Sequence, residues 1–346
     1  MRPVSLLSGG RGPAPSLGLE VAFPMENWTR LGRVLGSHMM FIAPACVILG
    51  VLFPGVFGLL RPIVPVLFAF MTFQGSLNNN VRHVVEVFRH PKNMLAILVV
   101  SMVVMPVASR VLSGLLFAND PNLVVGATLE YCVPVAVVCF MWCDMYDGDL
   151  SLALATILVS TVLAPFTIPV SLKLLLGAAV QVDVASMMTQ MVFMIALPAL
   201  AGMLVNDLTK GWGHKVLSPA ISPAARILIM FIMAANSTQM SDYMRHITPE
   251  LFGMMAYILF FATCGFLLGM GLARLMRVDQ ARFVTMTFGV GMRNISAGAV
   301  IAAQFFPGEV VFPVMMGTLF QQMLAGVFAT VMPRLAGRGA PETSTE

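Results

Sequence analysis

The residues best equipped for chemistry in this chain stand where charge is expensive. Near the centre of the apolar run 283–306 lie Gly289, Gly291, Arg293 and Asn294. A fixed cation and two backbone-loosening glycines, midway along a segment long enough to cross a bilayer, mark a passage for a solute. Two more ionisable residues, Arg110 and Glu130, interrupt apolar runs, with Asn236, Gln239, Gln304, Gln321 and Gln322 as uncharged polar company. At a helical rise of about 1.5 Å per residue, Arg293 falls at the centre of its span. Glu130 then lies roughly 4–5 Å, and Arg110 roughly 7–8 Å, toward the outer side, so the three can meet.

An unpaired arginine at that depth costs about 2.5–3.5 kcal/mol on insertion scales, so Arg293 needs a carboxylate, carbonyls, water or a bound anion. Two arrangements are open. In one, Arg293 pairs with Glu130 and the pair is structural. In the other, Glu130 pairs with Arg110 for charge balance or proton coupling, and Arg293 is free to bind an anionic solute. Asn294 either contacts that solute or satisfies interrupted backbone, and Gln321 and Gln322 read as cross-links between helices.

Other candidates carry less. All five cysteines, Cys46, Cys132, Cys139, Cys143 and Cys264, fall in apolar runs without the paired spacing of a metal knuckle or disulfide framework. Cys139 and Cys143 stand one helical turn apart, which suits a shared soft ligand or two ordinary buried small residues. His83, Glu86 and His90 recur at helical spacing on a polar connection and read as a solvated face. No phosphate-binding loop, zinc-protease helix or Gly-x-Ser-x-Gly elbow occurs, so the chain reads as no enzyme and no ATP-driven pump.

These residues must be positioned by a membrane scaffold. Hydrophobic residues make up 58% of the 346 and charged residues 10%, against roughly 45–50% and 25% in soluble domains. The net charge of +4 is dispersed along the chain, which argues against nucleic acid as a partner. Apolar stretches at 38–58, 62–79, 92–117, 121–146, 150–174, 184–205, 222–243, 250–273, 281–304 and 308–333 approach or exceed the ~20 residues that cross hydrocarbon. The expected fold is an all-α polytopic membrane protein with a transmembrane domain over 38–333. Residues 1–37 and 334–346 read as flexible tails, with Met25 as an alternative start.

Charge sets the orientation. With ten crossings, Arg61, Lys173 and Arg245 are the only loop cations on one side, while Arg2, Arg11, Arg30, Arg33, Arg82, Arg89, Lys92, Lys210, Lys215, Arg226, Arg274, Arg277, Arg282, Arg334 and Arg338 share the other. Positive loops stay cytoplasmic, so both termini are expected in the cytoplasm of an inner (plasma) membrane protein. Ten spans also divide into two inverted five-helix repeats. The fourth and ninth spans then correspond, and both carry helix breakers: Pro134 in one, Gly289 and Gly291 in the other.

His90-Pro91-Lys92, Met105-Pro106, Gly148-Asp149-Leu150, Ser160-Thr161, Ala164-Pro165 and Gly291-Met292-Arg293-Asn294 occur in that order. In these motifs the chain resembles the bile acid:sodium symporter family over about 54–332. The resemblance implies ten helices, a panel of helices 1, 2, 6 and 7, and a core of helices 3–5 and 8–10. It also implies that helices 4 and 9 cross at broken centres, with substrate beside the crossing and sodium behind it. The family's sodium ligands, however, fall on Ser101, Cys139, Phe140, Ala153, Ile157, Gly289 and Arg293. Sodium ion therefore lacks its family ligands, and a fixed arginine takes over its charge.

The expected function is secondary transport of a small organic anion by alternating access, without the usual sodium sites. Sodium symport through rearranged ligands, metalloid efflux through Cys132, Cys139 or Cys143, and a non-transporting anion receptor are the alternatives.

Overall fold

The computed structural model describes residues 28, 30–32, 34–35, 38–79, 91–177, 183–245 and 248–336. His83, Glu86 and His90 lie outside them. Among the described residues from 39 onward, twelve helical segments follow in order: α1 Met39–Leu52, α2 Pro54–Ser76, α3 Lys92–Leu116, α4 Pro121–Cys132, α5 Val138–Met145, α6 Leu150–Leu176, α7 Val184–Leu208, α8 Gly213–Met244, α9 Pro249–Leu275, α10 Gln280–Gly291, α11 Ile295–Phe305 and α12 Gly308–Ala336. Among the described residues no strand forms, and seven helices (α2, α3, α6, α7, α8, α9 and α12) are long and apolar enough to cross a membrane. Their outward faces carry bare apolar side chains such as Leu59, Leu115, Leu174 and Leu275, a surface that suits lipid.

Loop aspartates start several helices. Asp120, Asp149, Asp183 and Asp279 each accept a hydrogen bond from a backbone N–H in the first turn of α4, α6, α7 and α10, which satisfies a donor the helix leaves free. Three helices contain a one-turn π-helical segment: Val100–Val104 in α3, Val192–Ala196 in α7 and Gly213–Leu217 in α8. Each is followed two residues later by a proline: Pro106, Pro198 and Pro219. A proline ring clashes with the carbonyl four residues back and offers no N–H, and widening the preceding turn relieves both problems.

Three expected boundaries move. The first turn, expected at 59–61, lies at Phe53 (φ −122°, ψ 55°). Pro54, whose fixed φ suits the first position of a helix, starts α2 there, and Arg61-Pro62 sits inside α2 in a 3-10 stretch. The last helix runs on to Ala336. The N-terminal tail ends sooner than residue 37, because residues 30–32 and 34–35 are helical. That segment docks on α8: Trp28 Nε1 donates to Ala220 O at 2.9 Å, Arg226 donates to Gly32 O, and Gly32 lies against Pro223.

Helices α1, α2, α7 and α8 pack on one another, as do α3, α4, α9, α10, α11 and α12, and α6 touches both sets. Small residues bring α9 against α10. A Cβ on Gly269 would meet Met286 O at 2.7 Å, and one on Gly291 would meet the Phe266 ring at 2.5 Å, so both contacts need glycine.

Candidate functional site

Two of the helical stretches stop and restart. Between α4 and α5 the chain leaves the helix at Val133 (φ −71°, ψ 156°), the extended conformation favoured before a proline, here Pro134. Between α10 and α11 it does so at Met292 (φ −108°, ψ 129°), and Asn294 restarts it by accepting from Ala297 N at 3.2 Å. Gly291 is the last residue of α10. Gly289, expected at the break, lies inside the regular helix.

The two breaks lie against each other. Val135 and Arg293 form an antiparallel bridge, Ala136 N donates to Met292 O at 3.2 Å, and Asn294 N donates to Pro134 O at 2.8 Å. The remaining inward donors find side chains from other helices: Val135 N bonds Ser160 Oγ of α6 at 3.2 Å, and Arg293 N bonds Gln321 Oε1 of α12 at 2.6 Å. Backbone freed from a helix away from water must be satisfied by protein, and these four donors are. Ser160 belongs to a motif read from the sequence, and Gln321 was expected as a cross-link. Their shared task of closing the two breaks had no sequence signal.

The side chains at the junction contrast with its backbone. Arg293 is 2% exposed, and its Nε, Nη1 and Nη2 have no hydrogen-bond partner. Its guanidinium carbon lies 6.0 Å from the centre of the Tyr131 ring. Tyr131 is itself buried with its hydroxyl unpartnered, and it stands edge-on to Phe261 at 4.7 Å. Glu130 is also 2% exposed. Its Oε2 has no partner, and its Oε1 lies against Gly317 of α12, where a Cβ would collide with it.

Neither pairing considered for Glu130 is formed. The ion pairs among the described residues are Arg282 with Asp149 at 3.6 Å and with Asp279 at 3.4 Å. Arg110 does not reach Glu130. Its Nε donates to Leu175 O near the end of α6 at 3.0 Å, and its guanidinium folds back over Gly114, because a backbone carbonyl at a helix end is the nearer acceptor. Asn294 is half-buried with its oxygen committed to capping α11. Gln322 accepts from Trp142 Nε1 at 3.0 Å, Gln239 donates to Ala303 O at 3.0 Å, Gln304 is exposed, and Asn236 is buried with Nδ2 unpartnered.

On the other side of the junction lie the positions where relatives' sodium ligands were expected. Cys139, Ala153 and Ile157 belong to one apolar cluster with Ile97, Val135, Phe288 and Met292. Gly289 faces Ile97, with 3.2 Å to a built Cβ, and the buried Ser101 hydroxyl bonds Leu98 O of its own helix at 3.4 Å. The Thr156 and Thr287 hydroxyls are likewise spent on their own helices. Methyls, thiols and committed hydroxyls do not fit a hard cation, which takes several oxygen ligands. The Cys139 and Cys143 sulfurs stand 3.9 Å apart, while Cys132 lies in the other cluster; among the described residues no three His, Cys, Asp or Glu side chains converge.

Comparison with known proteins adds a lineage. The model of the Sodium Bile acid symporter family matches residues 65–247. YbaS of Bacillus subtilis, an uncharacterized protein, is 36% identical over 296 residues, covering 86% of this chain and 97% of YbaS. YocS of the same organism, named an uncharacterized sodium-dependent transporter, is 22% identical over 301 residues, 86% of this chain and 90% of YocS. The probable sodium/metabolite cotransporter BASS1 of Arabidopsis thaliana, a chloroplast protein, is 26% identical over 249 residues, 71% of this chain and 60% of BASS1.

Proposed function

The chain belongs to the sodium bile acid symporter family and is thus a multi-pass membrane protein and a secondary transporter, not an enzyme; on that premise we propose that it moves a small organic anion by alternating access, with Arg293 as the anion's counter-charge. One observation carries this reading. A guanidinium sealed between two paired helix breaks has all three nitrogens unpartnered, although five N–H donors in a planar fork match a carboxylate or sulfonate well. A structural arginine is usually hydrogen-bonded, so one left unsatisfied at depth suits a ligand that comes and goes. The amide NH2 of Asn294 is the neighbouring donor for such an anion.

The architecture supports the motion. The seven long helices, the short α1, and the pairs α4–α5 and α10–α11, each taken as one broken span, make ten crossings. In this reading α1, α2, α7 and α8 are the panel, the rest is the core, and the paired breaks belong to inverted five-helix repeats. Both termini are cytoplasmic and the membrane is the plasma membrane. Apolar or already committed side chains at the family's ligand positions support transport that proceeds without sodium there.

A thermal-shift screen of the purified protein against carboxylates and bile-acid-like compounds, with and without sodium, tests the reading. Arg293→Gln is expected to weaken the stabilising anion about 10–100-fold, the loss of a charge-assisted hydrogen-bonded pair. Unchanged binding refutes the assignment. The names of YocS and BASS1 favour a second reading, sodium symport through other oxygens. Uptake into proteoliposomes that collapses without a sodium gradient would establish that reading instead.

A further inference from the structure

The anion reading gives Arg293 a task and leaves Glu130 without one. A buried ionised carboxylate normally collects several donors, yet Glu130 presents one oxygen to the Cα of Gly317 and the other to no donor at all. The titratable groups acting at this point are Tyr131 and Cys132 on its own helix, Tyr257 and Cys264 on α9, and Arg293 across the junction. The facing helices α3, α6 and α12 bring neutral Ser109, Ser113, Ser160 and Gln321, Arg110 of α3 is turned to Leu175 O, and α11 carries no ionisable residue.

We infer that Glu130 is a proton-binding site whose proton crosses the membrane together with the anion, so that the protein is an electroneutral proton–anion symporter. This rests on the anion reading of Arg293. Counting charge at the sealed junction leads there. With Arg293 cationic and Glu130 ionised, the empty junction is neutral, but a bound monoanion would leave one uncompensated negative charge in hydrocarbon. With Glu130 protonated, the loaded junction is neutral, while the empty one would carry a lone cation. Burying an uncompensated charge costs several kcal/mol, so the junction closes over both anion and proton or over neither. The carboxylate takes a proton from water on the entry side, the anion binds Arg293, and after reorientation the anion leaves and the acid returns its proton to water on the other side. No bond other than O–H forms or breaks.

Two measurements decide. Infrared difference spectra of the protein in nanodiscs between pH 5 and pH 9 are expected to show a buried carboxylic-acid C=O band that Glu130→Gln removes; no Glu130-dependent band overturns the inference. In proteoliposomes with the membrane potential clamped, labelled pyruvate and taurocholate serve as probes. One-to-one symport predicts that at least one accumulates up to about tenfold per unit of inward pH gradient, since one pH unit is a factor of ten in proton activity. Glu130→Gln is expected to flatten that response, and Glu130→Asp to restore part of it. Accumulation indifferent to pH, or a response that survives Glu130→Gln, refutes the proposal. A band that persists while neither probe binds or moves, with Arg293→Gln behaving as wild type, locates the failure in the anion reading and removes the coupled cycle with it.

Discussion

The two sides of the paired breaks are built from the same helices to opposite specifications. Toward Cys139, Ala153, Ile157 and Gly289, side chains interlock in an apolar cluster and the hydroxyls of Ser101, Thr156 and Thr287 are spent on their own helices. Toward Arg293, Glu130 and Tyr131, the guanidinium nitrogens, one carboxylate oxygen and a phenol are buried without partners. The backbone between them is satisfied on both sides by Ser160 and Gln321. The difference teaches that the interrupted backbone finds its partners within the protein, while the unpartnered groups are side chains, which on the proposed reading an anion completes.

The sharpest way to break that comparison is to make the polar side resemble the apolar one. Arg293→Leu with Glu130→Leu is expected to abolish anion uptake while leaving thermal stability unchanged or raising it by about 1–4 kcal/mol, as hydrophobic replacement of buried ionic groups often does. A marked fall in melting temperature would show that the two charges hold the junction together. The converse change, Ala153→Asp, puts a carboxylate into the apolar cluster and should cost roughly 2.5–3.5 kcal/mol on insertion scales. If added sodium restores its melting temperature, that side retains a latent cation cage.

The shared backbone comes next. Ser160→Ala removes the acceptor of Val135 N and should destabilise by about 1–3 kcal/mol, the cost of an orphaned buried donor, with slower hydrogen exchange lost at the break. The smallest effect is expected from the thiols. Cys139→Ala with Cys143→Ala should cost about 1.6 kcal/mol of packing together, on the scale of a buried methylene each, and leave anion flux alone. A large loss of flux would give the sulfurs a role in transport.

Much of this was legible in the residues. The run of apolar stretches, the burial of Arg293 and Glu130 within them, and the interruption near Pro134 and Gly291 all follow from one-dimensional rules. Hydropathy reports spans, and a proline or glycine changes its own backbone. Gly289 misled because a glycine inside a helix and one at its end look alike in sequence. Its neighbour Gly291 owes its place to the Phe266 ring, which comes from another helix. The first turn was misplaced because Arg61 reads as a loop residue, although Pro54 had already started the helix.

By itself, the sequence determined that this is a multi-pass, all-helical membrane chain with polar residues inside its apolar stretches, because lipid imposes length and polarity on each segment separately. Partnership was decided only in three dimensions. Arg110 met the Leu175 carbonyl instead of Glu130, Gln321 closed a break from a distant helix, and Gly317 let Glu130 lie unpaired beside an unpaired arginine. Long side chains reach several helices, and which one they find depends on close packing that no local pattern encodes.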